Sequence, residues 1–398
     1  MKLTDIYKKG LRSLSLISNS ELLSMLTDST GTGNLVFSDN PELTGTPTAP
    51  TPTTESGLAT KGYVDTHLDN NLIINGAMEV SQANGDNPVT GSSFYPADMF
   101  IQSYSASLAG TPSTIQRKSR ADDSTLPEGF DKYIEIIPPA SPPAIASDHY
   151  TEVAYAIEGR DLKHLGIGSA TPETMTLSFW CKTESARTYS VAFRNGVFYN
   201  RSYVTEFSTS GSGWERISIT IPLDSGSTSW NLDNQSGLQI DWALRVGSTF
   251  HTTATDTWVD GTYLGTSTQD DFLDSSSNTF AITGVDFRRG TSAPEKFIHR
   301  TYQEELLRCY RYVFRETQGS DNPQPSYAYR YSTATNYGFN YTRLPVEFRI
   351  PPQDASKSYT LSNTEVNPNQ YHKADTLQFH KDAQGGGITD LIIFGTMI

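Results

Sequence analysis

Cysteine is nearly absent from this chain: two in 398 residues, Cys181 and Cys309, neither in a CxxC or other metal-ligand spacing. That excludes a disulfide framework and leaves two free thiols. Cationic charge is also scarce. Lysine and arginine number 30 against 44 acidic residues, a net charge of −14, so the basic footprint that nucleic acid or an anionic membrane requires is missing. Long apolar runs are missing too. No stretch approaches the roughly 20 residues needed to span a bilayer, and Lys2, Lys8, Lys9 and Arg12 interrupt the first twenty residues before a signal peptide could form. The expectation is a chain made and folded in a reducing cytoplasm, with no nucleic acid bound and no membrane insertion. Catalytic signatures are absent as well: there is no P-loop, no G-x-S-x-G and no HExxH. His67, His149, His164, His251, His299, His372 and His380 show no ligand spacing.

What is present is glycine, serine, threonine, asparagine and aromatic residues, with only 19% of residues charged, the composition of a turn-rich β protein. The front is different. "LTDIYKKGLRSL" and "SNSELLSML" offer two helices too short to stand alone, since isolated helices below about 12 to 15 residues are marginal. "LTGTPTAPTPTT", residues 43–54, has too little apolar surface to offset the entropy of ordering it. A further short helix in "LATKGYVDTHLDNN" carries Ala59, Val64 and Leu68. The first 70 residues read as unable to fold as a monomer.

From "NLIINGAMEV" onward the pattern turns to strands. In "MTLSFWCK", Met175, Leu177, Phe179 and Cys181 share one face, the period of two expected of a half-buried strand. In "YSVAFRNGVFYNRSYV", Asn195-Gly196 predicts a type I′ hairpin turn. "LQIDWALRV" places Leu238, Ile240, Trp242, Leu244 and Val246 inward, and in "FAITGVDF" the inward set shifts across Gly284, which predicts a β-bulge. With "DMFIQSY", "KYIEII", "TEVAYAIEG" and "WERISITI" the count between residues 71 and 290 reaches roughly ten strands, a sandwich. "TYQEELLRCYRYVF" then switches to helical spacing, with Tyr302, Leu306, Cys309, Tyr310 and Val313 on one stripe, and residues 318–398 return to strands.

A glycosidase needs two carboxylates flanking a sugar, about 5 to 10 Å apart. The adjacent pairs Asp122-Asp123, Asp270-Asp271 and Glu304-Glu305 do not supply that, although carboxylates brought together by folding would leave no local trace. "TQDDFLDSSSN" could furnish a structural Ca²⁺ site through Asp270, Asp271, Asp274 and Asn278, with turn capping as the alternative. No other cofactor is expected. Lectin-like sites set an aromatic ring beside Asp, Asn or Gln. Trp258, Tyr263, Tyr199 and Trp230 occupy turn-rich or outward positions of the sandwich and are candidate platforms. Tyr327, Tyr329 and Tyr331 lie on one strand face, opposite Tyr337, Phe339 and Tyr341, as a second candidate. Plain core packing or subunit contact is the alternative for each.

Several segments together resemble bacteriophage tail fibres. "NPELTGTPTAPTPTTESGLATKGYVD" looks like their repeated linker, an L-T-G-T-P-T-A-P run leading to an A-T-x-x-Y-V-D helix. "NLIINGAMEV" resembles the first strand of carbohydrate-binding-module jelly rolls. "NTFAITGVDFRRGTSAPEKFIHRTYQEELLRCYRYVF" resembles the close of such domains in phage fibres, and "VAYAIEGRDLKHLGIGSATPETMTLSFWCK" matches the same group. "FRRG" and "APEKF" stand where "LEVG" and "ATPFE" types are usual. The resemblance implies a homotrimer in which three copies of the threonine- and proline-rich segment hold one another and Ala59, Val64 and Leu68 are mutually buried. Residues 41–58 near polyproline II would span about 55 Å.

The expected architecture is mainly β. It comprises a virion-attachment segment (1–40), an extended trimeric shaft with a short trimerising helix (41–70), a jelly-roll β-sandwich (71–299), a linking helix (300–317) and a small C-terminal β tip domain (318–398). The expected role is a non-enzymatic virion fibre, assembled in the host cytoplasm, with other tail or head proteins at its N-terminus and a host-surface glycan or protein receptor at its β-domains. A polysaccharide-cleaving tailspike and a purely structural decoration or connector protein are the alternatives.

Overall fold

The computed structural model describes residues 70–91, 94–108, 110–226 and 230–317, together with Ala59, Val64 and five strand segments between 327 and 394. The chain divides into two units, Met1–Val64 and Asp65–Ile398. In the first, Ala59 and Val64 are exposed in the single chain. The threonine- and proline-rich segment, and Leu68 in the second unit, lie outside the described residues.

The second unit is mainly β. The strands of its sandwich are β1 (Val89–Thr90), β2 (Phe94–Ala97), β3 (Phe100–Tyr104), β4 (Thr114–Ser119), β5 (Lys132–Ile137), β6 (Tyr150–Glu158), β7 (Thr174–Thr183), β8 (Arg187–Asn195), β9 (Arg201–Thr209), β10 (Glu215–Pro222), β11 (Ser236–Val246), β12 (Trp258–Asp260) and β13 (Phe280–Arg289). They form a six-stranded sheet, β1-β4-β5-β13-β7-β10, and a seven-stranded sheet, β12-β9-β8-β11-β6-β3-β2. Every pairing between them is antiparallel. This is a jelly-roll β-sandwich.

The inner faces meet as the alternation predicts. Met175, Leu177, Phe179 and Cys181 of β7 are buried in one core with Val153, Tyr155, Phe193, Ile240 and Trp242 from the facing sheet. Trp242 receives the edge of Phe179, centroids 5.7 Å apart at 86°, the arrangement aromatic pairs prefer. At Gly284 the β13–β7 register shifts between Thr283 and Asp286, with Gly284 at φ +61. The bulge returns Val285 and Phe287 to the core beside Phe280 and Ile282. A second bulge, between Ala243 and Arg245 of β11, overturns the expectation for Val246. The extra residue flips the alternation, and Val246 joins a cluster with Ala192, Val204 and Ala243 on the opposite face of the sheet.

"NLIINGAMEV" is not a ladder strand. Residues 71–80 run as turns that bury Ile73, Met78 and Val80 and are fixed by side chains. The Asn71 carboxamide oxygen accepts from Ile73 N and Phe287 N, and Glu305 accepts from Asn75 N at 2.7 Å. Glu305 sits on the helix α1 (Tyr302–Cys309), whose N-terminus is closed by a Thr301/Glu304 capping box. The helix stops earlier than its hydrophobic stripe suggests. Cys309, Tyr312 and Val313 are buried in the main core, but Val313 already opens strand β14 (Val313–Thr317), and Tyr302 is exposed. Glu158 anchors this junction by accepting from Arg311 and from the Tyr312 hydroxyl.

Beyond it lie β15 (Tyr327–Arg330), β16 (Gly338–Arg343), β17 (Tyr359–Leu361), β18 (Thr376–Lys381) and β19 (Asp390–Phe394), in the sheets β14-β19-β17 and β15-β16-β18. The β15–β16 register sets Tyr327 opposite Tyr341 and Tyr329 opposite Phe339. Tyr331 lies outside the described residues.

Candidate functional site

The seven-stranded sheet departs from the inside-apolar, outside-polar rule. All eleven residues of β11 are buried, so its outward set, Gln239, Asp241 and Ala243, is covered as well as its inward set. Three cross-strand rows lie on that outer face. The first runs Ser202, Arg194, Gln239, Ala156 across β9, β8, β11 and β6. The second runs Val204, Ala192, Asp241, Ala154. The third runs Glu206, Ser190, Ala243, Glu152, and continues to Ser103 of β3. Alanines thus alternate with charged and polar groups, so the long side chains reach across small neighbours rather than into bulk. Phe250, Tyr150 and Tyr263, partly buried, pack around the Ala192–Val204–Ala243 patch.

A closed circuit of contacts holds the polar groups. The Tyr199 hydroxyl and Gln239 Oε1 are 2.9 Å apart, Gln239 Nε2 donates to Asp241 Oδ1 at 2.6 Å, and Arg194 Nε donates to Asp241 Oδ2 at 2.6 Å. The Arg194 guanidinium then lies 4.8 Å from the centroid of the Tyr199 ring, a cation–π contact. Arg194 Nη2 also stands 3.6 Å from Glu152 Oε1. Burial alone would lower the proton affinity of Arg194, but the charges of Asp241 and Glu152 more than offset this and raise it. Glu152 is displaced upward from the usual carboxylate range, first by burial and then by the charge of Asp241.

The circuit leaves oxygens over. The Glu152 carboxyl is also hydrogen-bonded by Ser103, its cross-strand neighbour on β3; Ser190 Oγ and Gln269 Oε1 are buried without a hydrogen-bond partner among the described residues, and Gln269 Nε2 is fixed on the carbonyl of Ala243 at 3.1 Å. Glu152 and Ser190 are the two cross-strand neighbours of Ala243. Of the two oxygens left over, Ser190 Oγ lies beside Ala243, while Gln269 Oε1 is aimed at Gly265, where a Cβ would stand 2.0 Å from it; an unsatisfied buried polar atom costs about 1 to 3 kcal/mol.

Tyr199 reaches this face through its turn. Asn195 and Gly196 do not make a two-residue hairpin. β8 ends at Asn195, β9 starts at Arg201, and the positive φ falls on Tyr199, at 48°. Asn195 Oδ1 accepts from Asn200 N and Arg201 N, and a Cβ on Gly196 would stand 2.1 Å from the Ser236 carbonyl oxygen, so glycine serves close approach here. Thr262 Oγ1 donates to Tyr199 O at 2.6 Å, and Tyr263 N donates to Ser202 Oγ. Tyr199 and Tyr263 are thereby brought to one face.

Trp230 and Trp258 form a separate pair, edge to face at 5.4 Å, packed against the core. The Trp258 indole donates to Pro222 O of β10 at 2.8 Å, joining edge strands of the two sheets. The Trp230 indole donates to Asp224 at 3.1 Å. Asp224 is buried, which by itself raises its pKa, but bonds from Arg201, Gly226 N and Trp230 bring it below the usual value. In the acidic segment, Asp270 accepts from Thr188 N, Asp271 from Leu273 N, and Asp274 and Asn278 hold Arg187. These residues cap turns and bind arginine. Among the described residues no group of three His, Cys, Asp or Glu side chains is placed to hold a metal ion.

Glu152, Arg194, Gln239, Asp241 and Ser190 did not stand out in the sequence. Their signal was the polar set of "TEVAYAIE", "VAFRN" and "LQIDWA", where each charged residue on the outward register is flanked two positions away by alanine.

No protein-family model matches the chain, and no curated protein matches it. Similar solved structures include the enzymatically active domain of tailspike protein 4 of bacteriophage CBA120, at 11% identity over 55% of this chain and 21% of that one, TM-score 0.28. They also include the family 11 carbohydrate-binding module from Clostridium thermocellum in complex with a β-1,3-1,4-mixed-linked tetrasaccharide, at 11% identity over 54% and 99%, TM-score 0.26. A third is the Stig cyclase Fisc from Fischerella sp. TAU, at 10% identity over 56% and 98%, TM-score 0.31.

Proposed function

We propose that the chain is a bacteriophage virion fibre protein, homotrimeric through its first 70 residues, whose β-sandwich binds a host-surface glycan. The observation that carries the glycan reading is on the outer side of the seven-stranded sheet: an Arg194–Asp241–Gln239–Tyr199 circuit in which a half-buried tyrosine ring is held by a guanidinium beside amide and carboxyl groups. Such a face suits a sugar. Its hydroxyls both donate and accept, and a tyrosine ring fixed by a guanidinium offers a stacking surface at low entropic cost. The fibre reading rests on the resemblance of residues 40–65 to phage linkers. Three copies of one weak site raise effective concentration, so no single site needs to be tight. Attachment to other virion proteins through the N-terminal segment belongs to the same reading. Binding is favoured over cleavage because Glu152 and Asp241 both face the one guanidinium of Arg194, and are not disposed across a gap that admits a glycosidic bond.

Glycan-array binding of the full-length chain tests this. Tyr199→Ala is expected to cut binding at least ~10-fold, and Tyr329→Ala to leave it unchanged. Loss on Tyr329→Ala alone would move the site to the β15–β16 sheet. No binding to any glycan would reject the reading.

A further inference from the structure

The entry of the chain into the sandwich and the helix α1 are held as one piece. Arg300 Nη2 donates to Asn71 O at 2.7 Å, and its Nη1 donates to Ile73 O at 3.0 Å and to Glu305 Oε1 at 2.9 Å. Glu305 Oε2 in turn accepts from Asn75 N. The two side chains are 5% and 9% exposed, so the pair is a buried, fully bonded brace between α1 and residues 71–75, the kind that rigidifies what it joins. Leu68, one of the residues read above as a trimer contact, precedes Asn70 by two positions, and two residues of chain span at most about 7 Å. Wherever three copies of Leu68 meet, three copies of α1 are carried close to the same axis.

On either side of its buried residues, Glu305 and Cys309, the helix has two unlike flanks. Tyr302, Leu306 and Tyr310, spaced by four, run along one, with Gln303 and Leu307 beside them. That flank carries no charge. Glu304 and Arg308 stand on the other. Tyr302 is 54% exposed and Leu307 48%, while Leu306 packs partly on the core. Apolar groups with tyrosine and without charge have the composition of an interface core. On a chain of net charge −14, an uncharged surface is also where like copies approach with least repulsion. Two half-exposed side chains fall far short of the ~800 Å² per partner that a self-standing interface buries. Tethered to a shaft that has already gathered three chains, they need no such area, because the added contact forms at high effective concentration. We infer that the flank of Tyr302, Leu306 and Leu307 meets its own copies about the three-fold axis, so that the trimer contact continues from Leu68 onto α1. The inference rests on the homotrimer reading above.

The test uses the full-length chain. Its two cysteines, Cys181 and Cys309, are both fully buried, so Leu307→Cys introduces an accessible thiol on a silent background. A short bismaleimide is expected to link copies of the native assembly through that position, and to leave Arg308→Cys, on the charged flank, unlinked. Separately, Tyr302→Asp combined with Leu307→Asp is expected to raise the concentration at which the trimer dissociates in equilibrium sedimentation at least ~10-fold. Near-UV circular dichroism should stay unchanged, because both side chains are exposed. A trimer that gives no cross-link at position 307, links equally at position 308, or dissociates at the native concentration in the double variant would overturn the inference and leave the homotrimer reading standing. A native chain that sediments as a single copy would remove that reading and this inference with it.

Discussion

Replacing Arg194 by methionine isolates the physics of the outer face. Methionine keeps the side chain's length and apolar stem but removes the charge that Asp241, fully buried, and Glu152, at 2% exposure, both face. Removing one partner of a buried charge pair costs about 3 to 5 kcal/mol, because the other charge is left uncompensated. Loss of the contact with the Tyr199 ring adds about 0.5 to 2 kcal/mol. Urea unfolding followed by tryptophan fluorescence should therefore show a deficit of roughly 3.5 to 7 kcal/mol at pH 7.5.

The deficit should depend on pH with a definite sign. In the native chain Arg194 offsets part of the upward shift that burial gives Glu152; without the guanidinium that carboxyl binds its proton still more tightly than in the unfolded chain, so the penalty grows as pH rises above the unfolded carboxylate value. It should shrink as pH falls towards about 4, where both states carry the protons. A deficit below about 1 kcal/mol, or one equal at pH 7.5 and pH 5, would show that the circuit is not a desolvated charge network.

Other expectations follow from the same structure. Asp98, buried and accepting from Gln82 N and Nε2, has its pKa pushed up by burial to about 6 from an ordinary 3.8. Its unfavourable contribution is absent near pH 4 and grows to about 3 kcal/mol by pH 7, so Asp98→Asn should remove that part of the fall in stability, and identical pH slopes would refute the assignment. Gly284→Val should lower stability by about 1 to 3 kcal/mol, because the residue sits at φ +61 and a Cβ would stand 2.6 Å from Phe130 Cζ; an unchanged thermal midpoint would contradict the bulge. Glu158→Gln should loosen the junction of α1 and β14, seen as faster proteolysis after Arg311, since Arg311 and Tyr312 both bond that carboxylate.

Strand positions were legible wherever one face of a strand is core. Met175 to Cys181 and the shift at Gly284 follow from side-chain period alone. What could not be read was anything set by the covering of the second face. Alternating polar residues in "LQIDWALRV" look solvent-exposed, yet loops bury them, and the bulge that flips Val246 has no glycine to announce it. The Asn195-Gly196 pair misled for a related reason: the asparagine side chain braces a longer turn, and the glycine is there for Ser236. Tyr199 stood out in the sequence as a candidate, but the groups around it come from β6, β8 and β11, and only strand pairing brings those together. Trp230 and Trp258, equally prominent in sequence, link the edges of the two sheets.

Tyr199→Phe tests the account most directly. The substitution keeps the ring against the Arg194 guanidinium and removes only the hydroxyl that bonds Gln239, so affinity for the bound glycan should fall far less than with Tyr199→Ala, which removes the stacking surface and should cost at least ~10-fold. Native affinity in Tyr199→Ala would contradict a sugar stacked on this ring.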